Sequence, residues 1–260
     1  MSGAELLLSS LAALLIGALI GSVGIGGVLM VPWLTQVVGL PVRDAVAIAM
    51  LSFVATGAAA GVIAARSARD PATMRWPLVV ATVPGALLGA AAIASVPERA
   101  ALLVLALALS IVGVRMLRSS PAGREPRDAG AESGRPSAGW GVGLVTGFAS
   151  SVTGTGGPMV LTPLLAWRGV PLLNAILLGQ VVQLPIAATA TLGHAVGQGV
   201  DWFAGAALGL MLVPGVFAGR RLARAMPLAA MTRLLAVLLL ATGGGLALEA
   251  LGATDALAAL

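Results

Sequence analysis

The chain has 260 residues, 58% of them hydrophobic and only 10% charged, with a net charge of +5 at pH 7 and a mean hydropathy of +1.02. Soluble domains carry about 25% charged residues, so this chain lacks the charge to cover a water-facing surface. It contains no cysteine, which excludes disulfides, thiolate metal sites and cysteine catalysis, and its 15 basic residues are all Arg, most of them placed between apolar runs, a membrane-topology signal before a nucleic-acid one.

In chain order, the N-terminal Met1-Ser2-Gly3-Ala4-Glu5 has no basic region, and a cleaved leader is not expected. The apolar stretch 6–38 is broken by Gly24-Ile25-Gly26-Gly27; it predicts a helix over 6–22 and a second, short helix over 28–38 that contains Pro32. Runs 42–65, 76–94 and 100–117 follow, mostly near the ~20 residues that cross hydrocarbon. Segment 115–135 holds five Arg, three acids and several Pro and Gly, and reads as a flexible cytoplasmic linker. The stretch 139–167 is broken by Gly154-Thr155-Gly156-Gly157, after which Pro158 is placed to start a short helix over 159–167. Runs 172–196, 202–219 and 228–251 complete the chain. Trp33, Trp76, Trp140, Trp167 and Trp202 lie near the ends of apolar runs and read as interfacial anchors.

A shift of 130 residues lays the chain on itself. Gly24, Gly26 and Gly27 fall on Gly154, Gly156 and Gly157; Gly39, Pro41 and Ala45 on Gly169, Pro171 and Ala175; and Pro84, Gly85 and Gly89 on Pro214, Gly215 and Gly219. Duplicated halves in an apolar chain are a transporter signature. Loop charges reverse between the copies: 66–75 carries three Arg against one Asp while 197–201 has none, and the turn at Pro97 has one Arg while its counterpart at Pro227 follows three. Reversed bias predicts copies placed upside down to one another. The expected fold is therefore an all-α polytopic membrane protein of two inverted-topology repeats, each a Gly-broken re-entrant opener plus three transmembrane helices. Repeat 1 covers 1–118, the linker 119–138 and repeat 2 139–260, with both termini outside.

Broken backbone at membrane depth persists only where protein or a wet cavity covers it. A short helix that begins mid-membrane aims its free N–H groups and positive dipole end at that cavity. No Asp or Glu lies midway along an apolar run; Asp44 and Glu249 stand near run ends. The site so formed suits an anion, with Gly24, Gly26, Gly27, Gly154, Gly156 and Gly157 as its turns. Close helix packing is the alternative role for glycine, and it is the expected one at Gly17, Gly21, Gly85, Gly89, Gly215 and Gly219.

Segments 23–32 (Val-Gly-Ile-Gly-Gly-Val-Leu-Met-Val-Pro) and 154–163 (Gly-Thr-Gly-Gly-Pro-Met-Val-Leu-Thr-Pro), with Gly39-Leu40-Pro41 and Gly169-Val170-Pro171, resemble the TauE/SafE (TSUP) sulfite exporter family over essentially the whole chain. The resemblance implies a duplicated integral membrane transporter for sulfite, sulfonates or related organosulfur anions in the cell membrane of a prokaryote, with proton coupling. The chain departs from the family pattern where Val28 and Pro158 stand in place of a third glycine.

Several polar residues within the runs are candidate contacts. Gln180 and Gln183, three apart, share one helix face and replace Met50 and Phe53 of the first copy; amide donation to substrate and interhelical bonding both fit them. Thr153 and Thr155 are favoured as hydroxyl donors over Ser22, Ser150 and Ser151, with Ser52 and Thr56 similar candidates. His194, the single histidine, suits either a proton relay or a hydrogen-bonded residue near the membrane surface. Arg43, Arg66 and Arg168 stand at run ends, where snorkelling to headgroups is the ordinary role.

With one His, no Cys and no acid midway along a run, no nucleophile–base pair or metal cluster assembles, so an enzyme is not expected. No cofactor is expected, nor a nucleic-acid partner. The partners are a small anion and the bilayer, while self-association is left open. A phosphate-binding loop with its Lys is absent, so ATP-driven transport by this chain alone is excluded. An anion channel of the same fold remains as the alternative to a carrier.

Overall fold

The computed structural model describes residues 3–23, 26–67, 76–118, 136–168, 170, 172–197, 199–222 and 228–251. Every regular element among them is helical. α1 (Gly3–Val23) leads to a helical segment of mixed winding: a 3₁₀ turn at Gly26–Leu29, the short α2 (Met30–Pro32) and a π turn at Trp33–Val37. α3 (Val42–Ser67), α4 (Trp76–Ser95) and α5 (Glu98–Arg118) complete the first half. The second half holds α6 (Pro136–Thr153), α7 (Pro158–Trp167), α8 (Leu172–Gly197), α9 (Trp202–Leu222) and α10 (Leu228–Ala250). All six expected spans appear within a few residues of their expected ends.

α3, α4, α5 and α9 each contain a stretch long and apolar enough to cross a membrane, and α8 and α10, at 26 and 23 residues, have comparable length. Local chemistry marks the helix ends. The Asp201 carboxylate accepts from the Ala204 N–H at 2.9 Å and caps α9, while Arg115 and Arg118 sit in the last turn of α5, where the dipole favours cations. Linker residues 119–135, loop residues 68–75 and Arg224 lie outside the described residues.

The halves interlock by exchange. α1 packs on α9 and α6 packs on α4, so each opener lies against a helix of the other half. The 130-residue shift relates the contacts atom for atom. A Cβ at Gly17 would strike the Leu212 carbonyl oxygen, as one at Gly147 would strike that of Thr82; Gly85 faces the Leu144 oxygen, as Gly215 faces that of Leu14. Glycine is needed here because backbones touch, as in other close membrane helix pairs. Gly17 opposite Leu212 and Gly21 opposite Val216 also show that α1 and α9 run in the same direction.

Equivalent helices pair with each other at the remaining seams, α3 with α8 and α5 with α10. In the second of these, Gly113 faces Ala236 and Leu240 while Gly243 faces Ala106 and Ser110. Positions rise along α5 as they fall along α10, so these two counterparts are antiparallel.

Two predictions follow from this packing. Replacing Gly85 or Gly215 with Leu should cost on the order of 1–3 kcal/mol or more by overpacking, seen as a lowered Tm in detergent. Gly61, which has nothing within 4 Å of its would-be Cβ, should tolerate Ala without that loss. In this cysteine-free chain, Ser110→Cys with Gly243→Cys should oxidise to an intramolecular disulfide, because a Cβ at Gly243 lies 2.8 Å from the Ser110 hydroxyl. Ser110→Cys with Gly244→Cys should not, and a gel after oxidation distinguishes the two pairs.

Candidate functional site

The second opener turns on three glycines. Gly154, Gly156 and Gly157 have φ of +67°, +75° and +116°, a region that L side chains rarely adopt. The Thr155 N–H closes back on the Ser150 carbonyl at 3.1 Å. Pro158 then begins α7 with no N–H to leave unpaired, and the Val160 and Leu161 N–H groups both donate to the Gly157 carbonyl, at 3.1 and 3.0 Å. α7 has 10 residues, about 15 Å at the helical rise, or half of a hydrocarbon core of about 30 Å. α8 returns beside it, and a Cβ on Gly179 would come within 3.0 Å of Pro158 Cα. Gly179 and Gln180 therefore share the depth of the turn.

The first opener is built differently. Gly24 and Ile25 lie outside the described residues. Gly26 and Gly27 are not among the positive-φ glycines and instead start the 3₁₀ turn. The short helix expected over 28–38 is thus wound unevenly through Pro32, which supplies no N–H to the ladder. The Thr35 hydroxyl lies 3.1 and 3.2 Å from the Val31 and Pro32 carbonyls, close enough to donate to either. Trp33 donates its indole N–H to the Ser9 hydroxyl at 3.1 Å, which ties this segment to α1. Its polar atom is engaged inside the protein, unlike that of an interfacial anchor.

Both openers arrive at Phe53. A Cβ at Gly27 would lie 3.0 Å from one end of the Phe53 ring, and a Cβ at Gly156 3.0 Å from its Cδ2. The ring is fully buried. Gln183, the counterpart of Phe53 under the shift, stands at the same point, its Cγ 3.5 Å from a Cβ on Gly156. Gly157 is bounded by Val182 and Ile186 of α8, and Gly154 by Val31 and Val46. The sequence carried no signal for Phe53 beyond its being the counterpart of Gln183.

Hydrogen bonds sort the polar candidates. Thr153 Oγ1 donates to the Ala149 carbonyl at 2.7 Å and lies 3.0 Å from Thr155 Oγ1. A hydroxyl has one proton, so Thr155 donates to Thr153, and in this arrangement neither has a proton left to give. Ser150 and Ser151 are fully buried and their hydroxyls have no hydrogen-bond partner among the described residues. This reverses the order expected from sequence. Ser22 and Ser52 donate to the carbonyls of Leu19 and Ala49.

Gln183 donates to Thr56 Oγ1 at 2.8 Å, and Thr56 passes its own proton to the Phe53 carbonyl at 3.1 Å. One Gln183 N–H stays available. Gln180 accepts from Arg220 Nη2 at 3.2 Å through Oε1, which leaves both of its N–H groups as donors. Arg220, one of the three arginines that precede Pro227, belongs to the end of α9 and reaches inward to α8.

His194 is buried on α8, but eleven residues beyond Gln183 place it about 17 Å along the helix. The structure does not bring it to the turns, and its burial departs from the surface role considered for it. Arg43 donates to the Val96 carbonyl at 2.8 Å, beyond the end of α4, and Arg168 is exposed. The side chain of Arg66 lies outside the described residues.

The family model described as sulfite exporter TauE/SafE matches residues 9–246, from within α1 to within α10. Neither a search of curated proteins nor one of solved structures returned a match. A duplicated helical membrane architecture with two glycine-initiated breaks covers the same span, and the chain belongs to the TauE/SafE sulfite exporter family.

Proposed function

We propose that the protein is a secondary transporter that exports a small sulfur oxyanion, sulfite or an organosulfonate, across the prokaryotic cell membrane by alternating access. The observation that carries this reading is the convergence of Gly27 and Gly156 on the two sides of Phe53. Two helix breaks that merely eased packing would have no reason to meet. Meeting at one ring places the turn backbone, the start of α7 and the Gln183 amide around a single point. Those are donors and a positive dipole end, suited to an oxyanion.

Phe53 occupies that point in this structure, so the ring has to swing aside for substrate to sit between the turns. Repeat 1 rocking against repeat 2 would move Gly27 and Gly156 relative to each other and exchange access between the faces. The antiparallel pairing of α5 with α10 supports inverted repeats, with the arginine-rich loops in the cytoplasm and both termini outside. Among the described residues no carboxylate is one of the atoms nearest a Cβ on the turn glycines, and His194 is distant along α8. Proton coupling, where present, is then carried on the substrate as its conjugate acid.

Labelled sulfite flux into proteoliposomes under an imposed pH gradient, compared with sulfate and chloride, tests this reading. Saturable sulfite movement that sulfate does not match is expected. Gly27→Leu and Gly157→Leu should each reduce it at least about tenfold, since strain and overpacking at such positions cost about 1–3 kcal/mol. A folded preparation that moves no sulfur oxyanion would refute the proposal. Phe53→Ala should raise flux or broaden the accepted substrates towards larger sulfonates, while Phe53→Trp should suppress both. Equal behaviour of the two variants would remove Phe53 from the pathway.

A further inference from the structure

Arg220 is a charged side chain that turns into the protein, onto a neutral amide. It lies on α9, a helix with the length and composition of a span, and it is only partly exposed. Its Nη2 donates to Gln180 Oε1 at 3.2 Å, and Gln180 is 7% exposed. Gln180 adjoins Gly179, which touches Pro158 at the start of α7. The guanidinium therefore turns from the last turn of α9 toward the start of α7.

The packing of α1 likewise sets this end of α9 inside the bundle. Gly219, next to Arg220, meets the Ala18 carbonyl, a turn and a half before the break that follows Val23. Charges inside a membrane bundle are expensive and pair with something. Among the described residues no carboxylate pairs with Arg220, whose partner is a neutral amide oxygen. One of the five N–H groups of a guanidinium is used in that bond.

We infer that Arg220 and Gln180 form an anion-binding site for the transported oxyanion, with the guanidinium supplying the charge and the Gln180 amide N–H groups supplying two further donors. The arrangement is self-consistent: accepting from Arg220 commits the Gln180 oxygen and turns its NH₂ end to the ligand. Gln183, one helical turn on, hands the anion to the point where Gly156 meets Phe53. Ala90 is the counterpart of Arg220 under the 130-residue shift, so the charge serves one side of the molecule only. By the arginine bias of the loops that side is the cytoplasmic one, from which an exporter loads. The inference deepens the anion-carrier reading and rests on it for the identity of the ligand.

The test compares Arg220→Gln with Arg221→Gln in the purified full-length protein. Arg221 is the exposed neighbour, so both variants lose the same charge. Thermal unfolding in detergent is followed against added sulfite and against added sulfate, and sulfite flux is measured in proteoliposomes. Wild-type protein should gain Tm saturably with sulfite. Arg220→Gln should raise the half-saturating concentration about tenfold or more, the scale of a lost charge-assisted hydrogen bond, while Arg221→Gln shifts it less than about twofold and Arg220→Lys falls between. The flux KM should follow the same order.

Equal shifts in the Gln variants at 220 and 221, or a wild-type protein that neither anion stabilises, would overturn the inference. Should Arg220→Gln fail to fold, Gln180→Leu takes its place, with the same rise expected and an unchanged midpoint overturning the site. Stabilisation lost only in Arg220→Gln, in a protein that moves no sulfite, would keep the anion site and reject the carrier. Sulfite transport with an unaltered KM in Arg220→Gln would do the reverse.

Discussion

A helix that stops partway through hydrocarbon leaves backbone N–H and carbonyl groups with no water to receive them. We place both glycine breaks of this protein at such a depth, and much of its architecture follows from covering them. The break at Gly154–Gly157 is enclosed by α3 and α8, through Val46, Phe53, Val182 and Ile186. Gly26 and Gly27 are covered by Leu19, Ile20 and Phe53. Thr155 N–H and Thr35 Oγ1 turn back onto nearby carbonyls, so local bonds take up part of the deficit. What is left over, the start of α7 and the amides of α8, would supply the proposed anion site.

Covering the breaks requires the halves to interpenetrate. α1 lies on α9 and α6 on α4 at backbone contact, with glycines at 17, 21, 85, 89, 147, 215 and 219 facing carbonyls of the opposing helix. Each opener is thereby held by the other half, while Phe53 receives a turn from each. Relative motion of the halves cannot leave the centre unchanged. A carrier needs that coupling between a moving interface and a central site.

Much of this architecture was legible in the sequence. Apolar run lengths gave the helices, because in hydrocarbon length and composition decide what spans. Pro158 after Gly156-Gly157 marked the start of α7, because proline suits that position and few others. The shift of 130 residues marked Gly85 and Gly215 as related positions, though not that each would press on the other half. The first opener is less legible: Gly26 and Gly27 wind into a 3₁₀ turn, and Pro32 with Thr35 makes the rest uneven. The candidate site was less legible. Thr153 and Thr155 look like donors by residue type, yet their protons are consumed by Ala149 and by each other. Arg220 read as a loop charge because three nearby arginines share a segment, and only the α8–α9 contact shows where its side chain goes. Phe53 has no polar chemistry to draw notice; its meaning comes from two glycines far apart in sequence.

The central claim is that substrate binds between the two turns and is passed from face to face, without an open path. Counterflow tests this most directly. Proteoliposomes loaded with unlabelled sulfite are diluted into a trace of labelled sulfite, and internal label is followed with time. A carrier predicts a transient accumulation of label above equilibrium, abolished when Gly27 or Gly157 is replaced by Leu. Label that rises only to equilibrium, with no overshoot at any internal concentration, would contradict alternating access and leave a channel of the same fold.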